Sequence, residues 1–321
     1  MGQVIVVFPH SGLQNALTDG HRRWMSRGTV QIKTVATEPL ADVLVEIGLP
    51  RLSDGLAALR YLGQTGRATD GWIAAADPIS FEPRMRDIVA RRIAPGQLSV
   101  EEFAEVMSAA RDLLANDNDL QLESIEHQGY LASSESMPTA TISSSTLHGF
   151  GPDEYLPSGG DGRLFHRLNS ELQMLFHDHP VNERRAERGL PAINGLWMWG
   201  GGRMPAESHQ DLPVLIGDDP LFKGYWKHFG GQQNGWSGNI GDCIRAAGRS
   251  AVITVPASTD SAFDQDALGY LDQICDQLKG RRMSKLTMIF NNEVINRLHW
   301  ADRLKFWRRQ SPLFPEAAHD E

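Results

Sequence analysis

Cysteine, long apolar runs and positive charge are all scarce in this chain of 321 residues. Its two cysteines, Cys243 and Cys275, form no CxxC pair. That excludes a disulfide-framed scaffold or a zinc ribbon and leaves two free thiols. Nowhere do apolar residues approach the ~18 in succession that span a bilayer. The first apolar run, Val4–Phe8, has no basic residue ahead of it and is too short for a secretory signal. Val6 occupies the position where myristoylation requires Ser or Thr. The expectation is a cytoplasmic protein with no membrane partner. Lys and Arg number 31 against 40 Asp and Glu, and the net charge of −9 argues against nucleic acid as the main partner. Several catalytic signatures are missing too. There is no GxxxxGK phosphate loop, no HExxH and no GxGxxG after the first strand. Gly235-Trp236-Ser237-Gly238-Asn239 lacks the last glycine of a nucleophile elbow.

What is present is a globular composition, 41% hydrophobic and 22% charged, long enough for one large domain or two modest ones. Short apolar strands alternate with amphipathic helices, which marks an α/β class. Val4–Phe8 reads as a buried parallel strand, and Trp72–Ala76 as a strand ended by Asp77-Pro78. Leu40–Ile47 and Asp54–Leu62 carry helical spacing. Ser99–Leu114 is the clearest helix, with Ser99 and Glu102 forming a capping box ahead of an apolar stripe that includes Phe103. A hairpin is expected over Leu120–Ser133, turning near Gln128-Gly129, and a Ser/Thr/Gly/Pro-rich surface segment from Ser133 to Gly162. Leu164–Phe176 reads as a helix and Ala192–Met198 as a strand. Ala251–Val255, Gln265–Leu278 and Leu286–Phe290 restore the strand–helix–strand rhythm. The resulting layout is a discontinuous core, 1–78 with 163–321, and an α+β insert over 79–162.

One stretch, His177 to Gly202, is dense in signals. Pro180 forces a turn after a helix ending at His177, Asn182 can cap a short helix Glu183–Arg188, and a strand then runs into Gly200-Gly201-Gly202. Open α/β sheets bind ligands beside Gly-rich turns at strand ends. The candidate pocket is therefore His177, His179, Asn182, Arg185, Asn194, Trp197, Trp199, Gly200 and Gly201. For His177 and His179 a metal pair or an acid/base couple, with Asp178 or Asn182 nearby, competes with the simpler reading, a helix end whose dipole imidazoles stabilise. Asn182 and Arg185 have bland alternatives as a helix cap and a solvated cation. Trp197 and Trp199 share one strand face and fit helix packing as well as a ligand box. Near the C-terminus, Lys279–Arg309 holds nine Lys/Arg and two Asp/Glu, which leaves −16 on the rest of the chain. Leu298, Leu304 and Trp307 among those cations predict a terminal helix docked by its apolar side.

Ala76-Asp77-Pro78, Leu168-Asn169 with Gln173-Met174-Leu175, His179-Pro180-Val181-Asn182, Trp197-Met198-Trp199-Gly200 and Phe306-Trp307-Arg308-Arg309 carry a resemblance. They are similar to the cofactor-independent phosphoglycerate mutase-like proteins of the alkaline phosphatase superfamily, and more closely to the RpfE-type regulatory proteins. The resemblance implies an alkaline-phosphatase-like core sheet flanked by helices, with a smaller α+β insert. It also implies, for active enzymes, two divalent metals held by an Asp at the end of the first strand and by Asp and His near late strand ends. Here those places read Phe8-Pro9-His10-Ser11-Gly12 and Asn291-Asn292-Glu293, and Ser11 and Ser53 sit in no matching nucleophile motif. The expectation is a catalytically degenerate regulatory or ligand-binding protein with no cofactor and no metal, whose catalytic residues the sequence does not name. Its partner would be a small ligand or a protein, with a homo-oligomer left open. The competing reading is a phosphomutase or phosphatase with an altered metal set drawn from His10, His177 and His179.

Overall fold

The computed structural model describes residues 2–9, 17–93, 95–115, 119–159, 162–248, 250–256, 263–290, 294–305 and 313. Among them the chain runs β1 (Gln3–Phe8), α1 (Asp19–Met25), β2 (Thr29–Ile32), α2 (Pro39–Glu46), α3 (Leu56–Thr65), β3 (Trp72–Pro83) and β4 (Ile88–Arg92). Next come α4 (Val100–Leu114), β5 (Leu120–Ile125), β6 (Gln128–Ser133), α5 (Ser144–Leu147), α6 (Arg163–His177), α7 (Pro180–Glu187) and β7 (Gly195–Gly202). Then follow β8 (Val214–Ile216), α8 (Pro220–His228), β9 (Gln233–Asn234), α9 (Ile240–Ala246), β10 (Ala251–Thr254), α10 (Phe263–Lys279), β11 (Lys285–Phe290) and β12 (Val294–His299). These elements separate into two compact units, Met1–Arg51 with Ser208–Glu321, and Leu52–Glu207. The partition falls at 51/52 and 207/208 rather than at 78/79 and 162/163. The expected first boundary lies inside β3, a continuous strand whose hydrogen bonding holds both sides of it together.

The first unit is a mixed α/β layer. Its seven-stranded sheet has the order β2-β12-β11-β1-β10-β8-β9. The strands β11, β1, β10, β8 and β9 are parallel, and β12 turns back antiparallel on β11. Register places Val4, Val6 and Phe8 opposite Leu286, Met288 and Phe290, so these side chains share one face. There they meet Ile240, Cys243 and Ile244 of α9 and Leu271, Ile274 and Leu278 of α10, and Phe8 stacks on Phe290 at 5.0 Å. The alternate residues Ile5, Val7, Val252 and Ile289 are buried as well. On that second face the end of α2 docks through Glu46, whose carboxylate accepts from Arg297 at 2.7 Å and whose carbonyl takes Gln3. Coverage on both faces is why β1, β10 and β11 read as unbroken apolar runs.

The second unit is a five-stranded antiparallel sheet built around β3, with β7 on one edge and β6 and β4 in succession along the other. The strand does not stop at Asp77-Pro78. Ile79 turns its carbonyl toward Asn194 on the β7 side, so alternation aims the proline nitrogen at the opposite edge. β6 pairs only to Ala75 and β4 only from Ile79, and the missing N–H falls in the gap between them. The helix α4 carries the expected capping box, and its stripe covers this sheet: Phe103, 2% exposed, packs with Val106, Met107, Leu122 and Leu131.

Several local expectations change. The hairpin turns at Glu126-His127, with Glu126 at φ 52°, and Gly129 lies within β6 where it passes the Ala76 carbonyl. The 133–162 segment is not a surface strip, since Ile142, Ser143, Ser144, Thr146 and Leu147 are buried. Helix α7 begins at Pro180 with His179 as its cap, three residues before the expected start. Between β8 and β9, where no helix was expected, α8 forms with Asp219 as its cap. In the tail Leu298 is buried but Leu304 is 58% exposed, so Leu304 docks nothing, and Trp307 lies outside the described residues.

Candidate functional site

Gly200, Gly201 and Gly202 belong to strand β7 rather than to a turn after it, and that strand lies in the antiparallel sheet. The expected ligand turn at a parallel strand end is therefore absent at this place. The glycines serve close approach instead. A Cβ on Gly201 would strike the Trp72 ring and Thr139, and one on Gly202 would strike the Gly55 backbone. Gly200 at φ 63° bonds its N–H to the Ala140 carbonyl.

Beside the glycines lies a buried polar node within the Leu52–Glu207 unit. Asp77 accepts Arg60 Nη1 on both oxygens, at 2.8 and 2.9 Å, and its Oδ2 also takes Trp199 Nε1 at 2.8 Å and Ser144 Oγ at 3.1 Å. Arg60 Nη2 donates to the Gly129 carbonyl, and the guanidinium lies over the rings of Tyr130 (4.6 Å) and Trp199 (5.1 Å). Burial works against the Arg60 charge, but Asp77 and Tyr130 together outweigh it and raise the pKa above the ordinary arginine value. Burial pushes the Tyr130 hydroxyl up to about 12, despite the pull of Arg60. Among the described residues Arg60 Nε has no hydrogen-bond partner. Sequence reasoning missed Arg60 and Ser144. The available signal was a cation inside the apolar stripe Leu56, Leu59 and Leu62, which requires a buried anion, and Asp77 inside an apolar strand supplies it.

The polar residues of the motif stitch backbone rather than line one pocket. Asn182 donates to the Phe176 and Ile193 carbonyls and accepts the Ile193 N–H, each at 2.8 Å. Asn194 mimics a strand residue, accepting the Phe81 N–H at 2.7 Å and donating to its carbonyl at 2.9 Å. Arg185 is neither a surface cation nor a pocket wall. Fully buried, it bonds the Pro191 and Gln97 carbonyls and Glu102, the residue that closes the α4 capping box. His179 caps α7, while His177 at the end of α6 is exposed and 3.8 Å from Asp178. Trp197 bonds the Ile142 carbonyl from the core.

His177 and Asn194 do share a cavity, of about 400 Å³. Its apolar wall is Phe81, Ile88, Pro152 and Leu156. The other wall includes Asn169 and Gln173, which with His177 are spaced four residues apart along α6, and Asp153.

In the seven-stranded sheet, the residues that follow β1, β10 and β11 at its carboxyl edge (10–16, 257–262 and 291–293) lie outside the described residues. His10, Ser11, Asn291 and Asn292 are among them. Ser53 is exposed and takes part in none of the bonds above. Among the described residues no three His, Cys, Asp or Glu side chains gather into a metal-sized cluster, and no helix is long and apolar enough to cross a membrane. The thiols of Cys243 and Cys275 are free and buried, and burial raises the Cys275 pKa.

No family model matches the chain. It is 28% identical over 198 residues to the 2,3-bisphosphoglycerate-independent phosphoglycerate mutase of Methanosarcina barkeri, which covers 55% of this chain and 50% of that protein. The enzyme of the same description from Methanosarcina acetivorans is 25% identical over 155 residues, 46% of this chain and 39% of that one. The chain thus spans half or less of the curated relatives it matches. Among solved structures, the cofactor-independent phosphoglycerate mutase from Thermoplasma acidophilum aligns with a TM-score of 0.41 at 16% identity, covering 93% of this chain and 90% of that one. Over the matched residues, the sequence is homologous to the cofactor-independent phosphoglycerate mutases.

Proposed function

We propose that this chain is a cytoplasmic regulatory or ligand-binding protein, of the RpfE type, on a phosphoglycerate-mutase-like scaffold that no longer performs two-metal phosphoryl chemistry. One observation supports the reading above others. Strands β1 and β11 are parallel neighbours with Phe8 opposite Phe290, so the chain leaves both at adjacent points of the sheet's carboxyl edge. The resemblance implies acidic ligands there, yet the residues that follow are Pro9-His10-Ser11 and Asn291-Asn292-Glu293. Two divalent ions need charged oxygen donors to offset their mutual repulsion, and asparagine supplies none. Of the residues that follow these two strands, Glu293 alone carries a charged oxygen, where a metal pair calls for several. Elemental analysis of the purified protein, with a coupled assay for conversion of 3-phosphoglycerate in added Mn²⁺, tests the reading. The expected result is trace metal and no 2-phosphoglycerate. Two bound equivalents together with turnover would overturn it.

A further inference from the structure

The cavity between α6 and the 152–156 segment has no role in the reading above, and its chemistry points away from phosphorylated acids. On α6 the apolar residues Phe165, Leu168, Leu172 and Phe176 face the core. Asn169, Gln173 and His177 recur every fourth residue on another side and line the cavity. Asn169 is half-buried and Gln173 exposed on this lining, and among the described residues their amides make no hydrogen bond, so both can bond a ligand in exchange for water. Asp153 adds a carboxylate acceptor, and no Lys or Arg is among the described lining residues. Phosphate or carboxylate would find no ammonium or guanidinium here, and one carboxylate. Phe81, Pro152 and Leu156 meanwhile give an apolar wall. At about 400 Å³ the space falls within the usual range for small-molecule sites.

We propose that this cavity is a binding site for an uncharged polyhydroxylated ring, a monosaccharide or cyclic polyol. Its C–H face lies on Phe81 and Leu156, and its hydroxyls bond Asn169, Gln173 and Asp153. Amides match such a ligand because each offers both a donor and an acceptor to adjacent hydroxyls. The site lies wholly within the Leu52–Glu207 unit and is independent of the metal question.

The full-length protein is titrated by NMR with methyl glucoside and myo-inositol, and in parallel with tyramine and 3-phosphoglycerate. Saturable binding of at least one polyol in the millimolar range is expected, with amides of α6 and the 152–156 segment shifting. Asn169→Leu combined with Gln173→Leu should weaken it about tenfold or more, the loss of two hydrogen bonds. If that variant melts early, Asp153→Asn, at an exposed position, carries the test and should weaken binding severalfold. No saturation by either polyol overturns the proposal. So does stronger binding of the amine or of the phosphorylated acid at these residues, or polyol binding that both variants leave unchanged.

Discussion

Replacing Asp77 with Asn tests the buried node most directly, because the two side chains have one shape and differ only in charge and donors. The Asp77 carboxylate receives Arg60 Nη1 on both oxygens and Trp199 Nε1 and Ser144 Oγ on Oδ2. An amide has one acceptor oxygen. With that oxygen toward Trp199 and Ser144, its NH2 group confronts Arg60 Nη1, donor against donor. Flipped, the NH2 group can donate to the Ser144 hydroxyl but confronts the indole N–H, donor against donor. Neither orientation satisfies the site, and both leave the Arg60 guanidinium, 4% exposed, without a counter-charge. Breaking one side of such a buried pair costs ~3–5 kcal/mol. Asp77→Leu with Arg60→Met should cost less than the two single changes summed, since no unpaired charge remains. Urea unfolding of the full chain, followed by circular dichroism, measures both. An Asp77→Asn variant within about 1 kcal/mol of wild type would refute the assignment of Asp77 as the anion that permits Arg60 in the core.

Phe103→Ala should destabilise by ~3–5 kcal/mol, read by the same unfolding, because Phe103 anchors α4 over β5 and β6; wild-type stability would show the stripe is not core. Gly129→Ala should cost ~1–3 kcal/mol, since its methyl group would press on the Ala76 carbonyl and Met107, and a neutral outcome would mean the two strands can separate there. Tyr130 holds its proton to about 12 when folded against ~10 unfolded. The folded state then binds the proton more tightly, so this contribution is intact below pH ~10 and is lost as pH rises toward 12, up to ~2–3 kcal/mol. The difference in tyrosinate absorbance between wild type and Tyr130→Phe reports it, and a transition near 10 contradicts the burial argument. In the tail, Leu304→Ala should be near neutral, whereas Leu313→Ala should lower the thermal midpoint, because Leu313 is 3% exposed within the first unit's core. The opposite order would restore a docked helix at Leu304.

Sequence alone determined the periodic parts of this protein. The capping box and stripe of Ser99–Leu114, the apolar runs of β1, β10 and β11, and the hairpin of β5 and β6 follow from local rules, because burial of one face leaves a period in the residues themselves. The mutase-like resemblance was equally legible. Tertiary structure decided what those residues do. Asp77-Pro78 looked like a strand end because proline lacks an N–H; only the arrangement of β6 and β4 leaves a gap where none is needed. Gly200–Gly202 looked like a ligand turn, but the approach of Trp72, Thr139 and Gly55 makes them the only residues small enough for that strand. Arg185 and Arg60 read as ordinary cations until Glu102 and Asp77, distant in sequence, met them in the core. Likewise His177 and Asn194 share a cavity whose described lining includes none of the glycines they seemed to accompany. Periodicity records which face of an element is buried. Which partner meets it there depends on long-range pairing that no local pattern encodes.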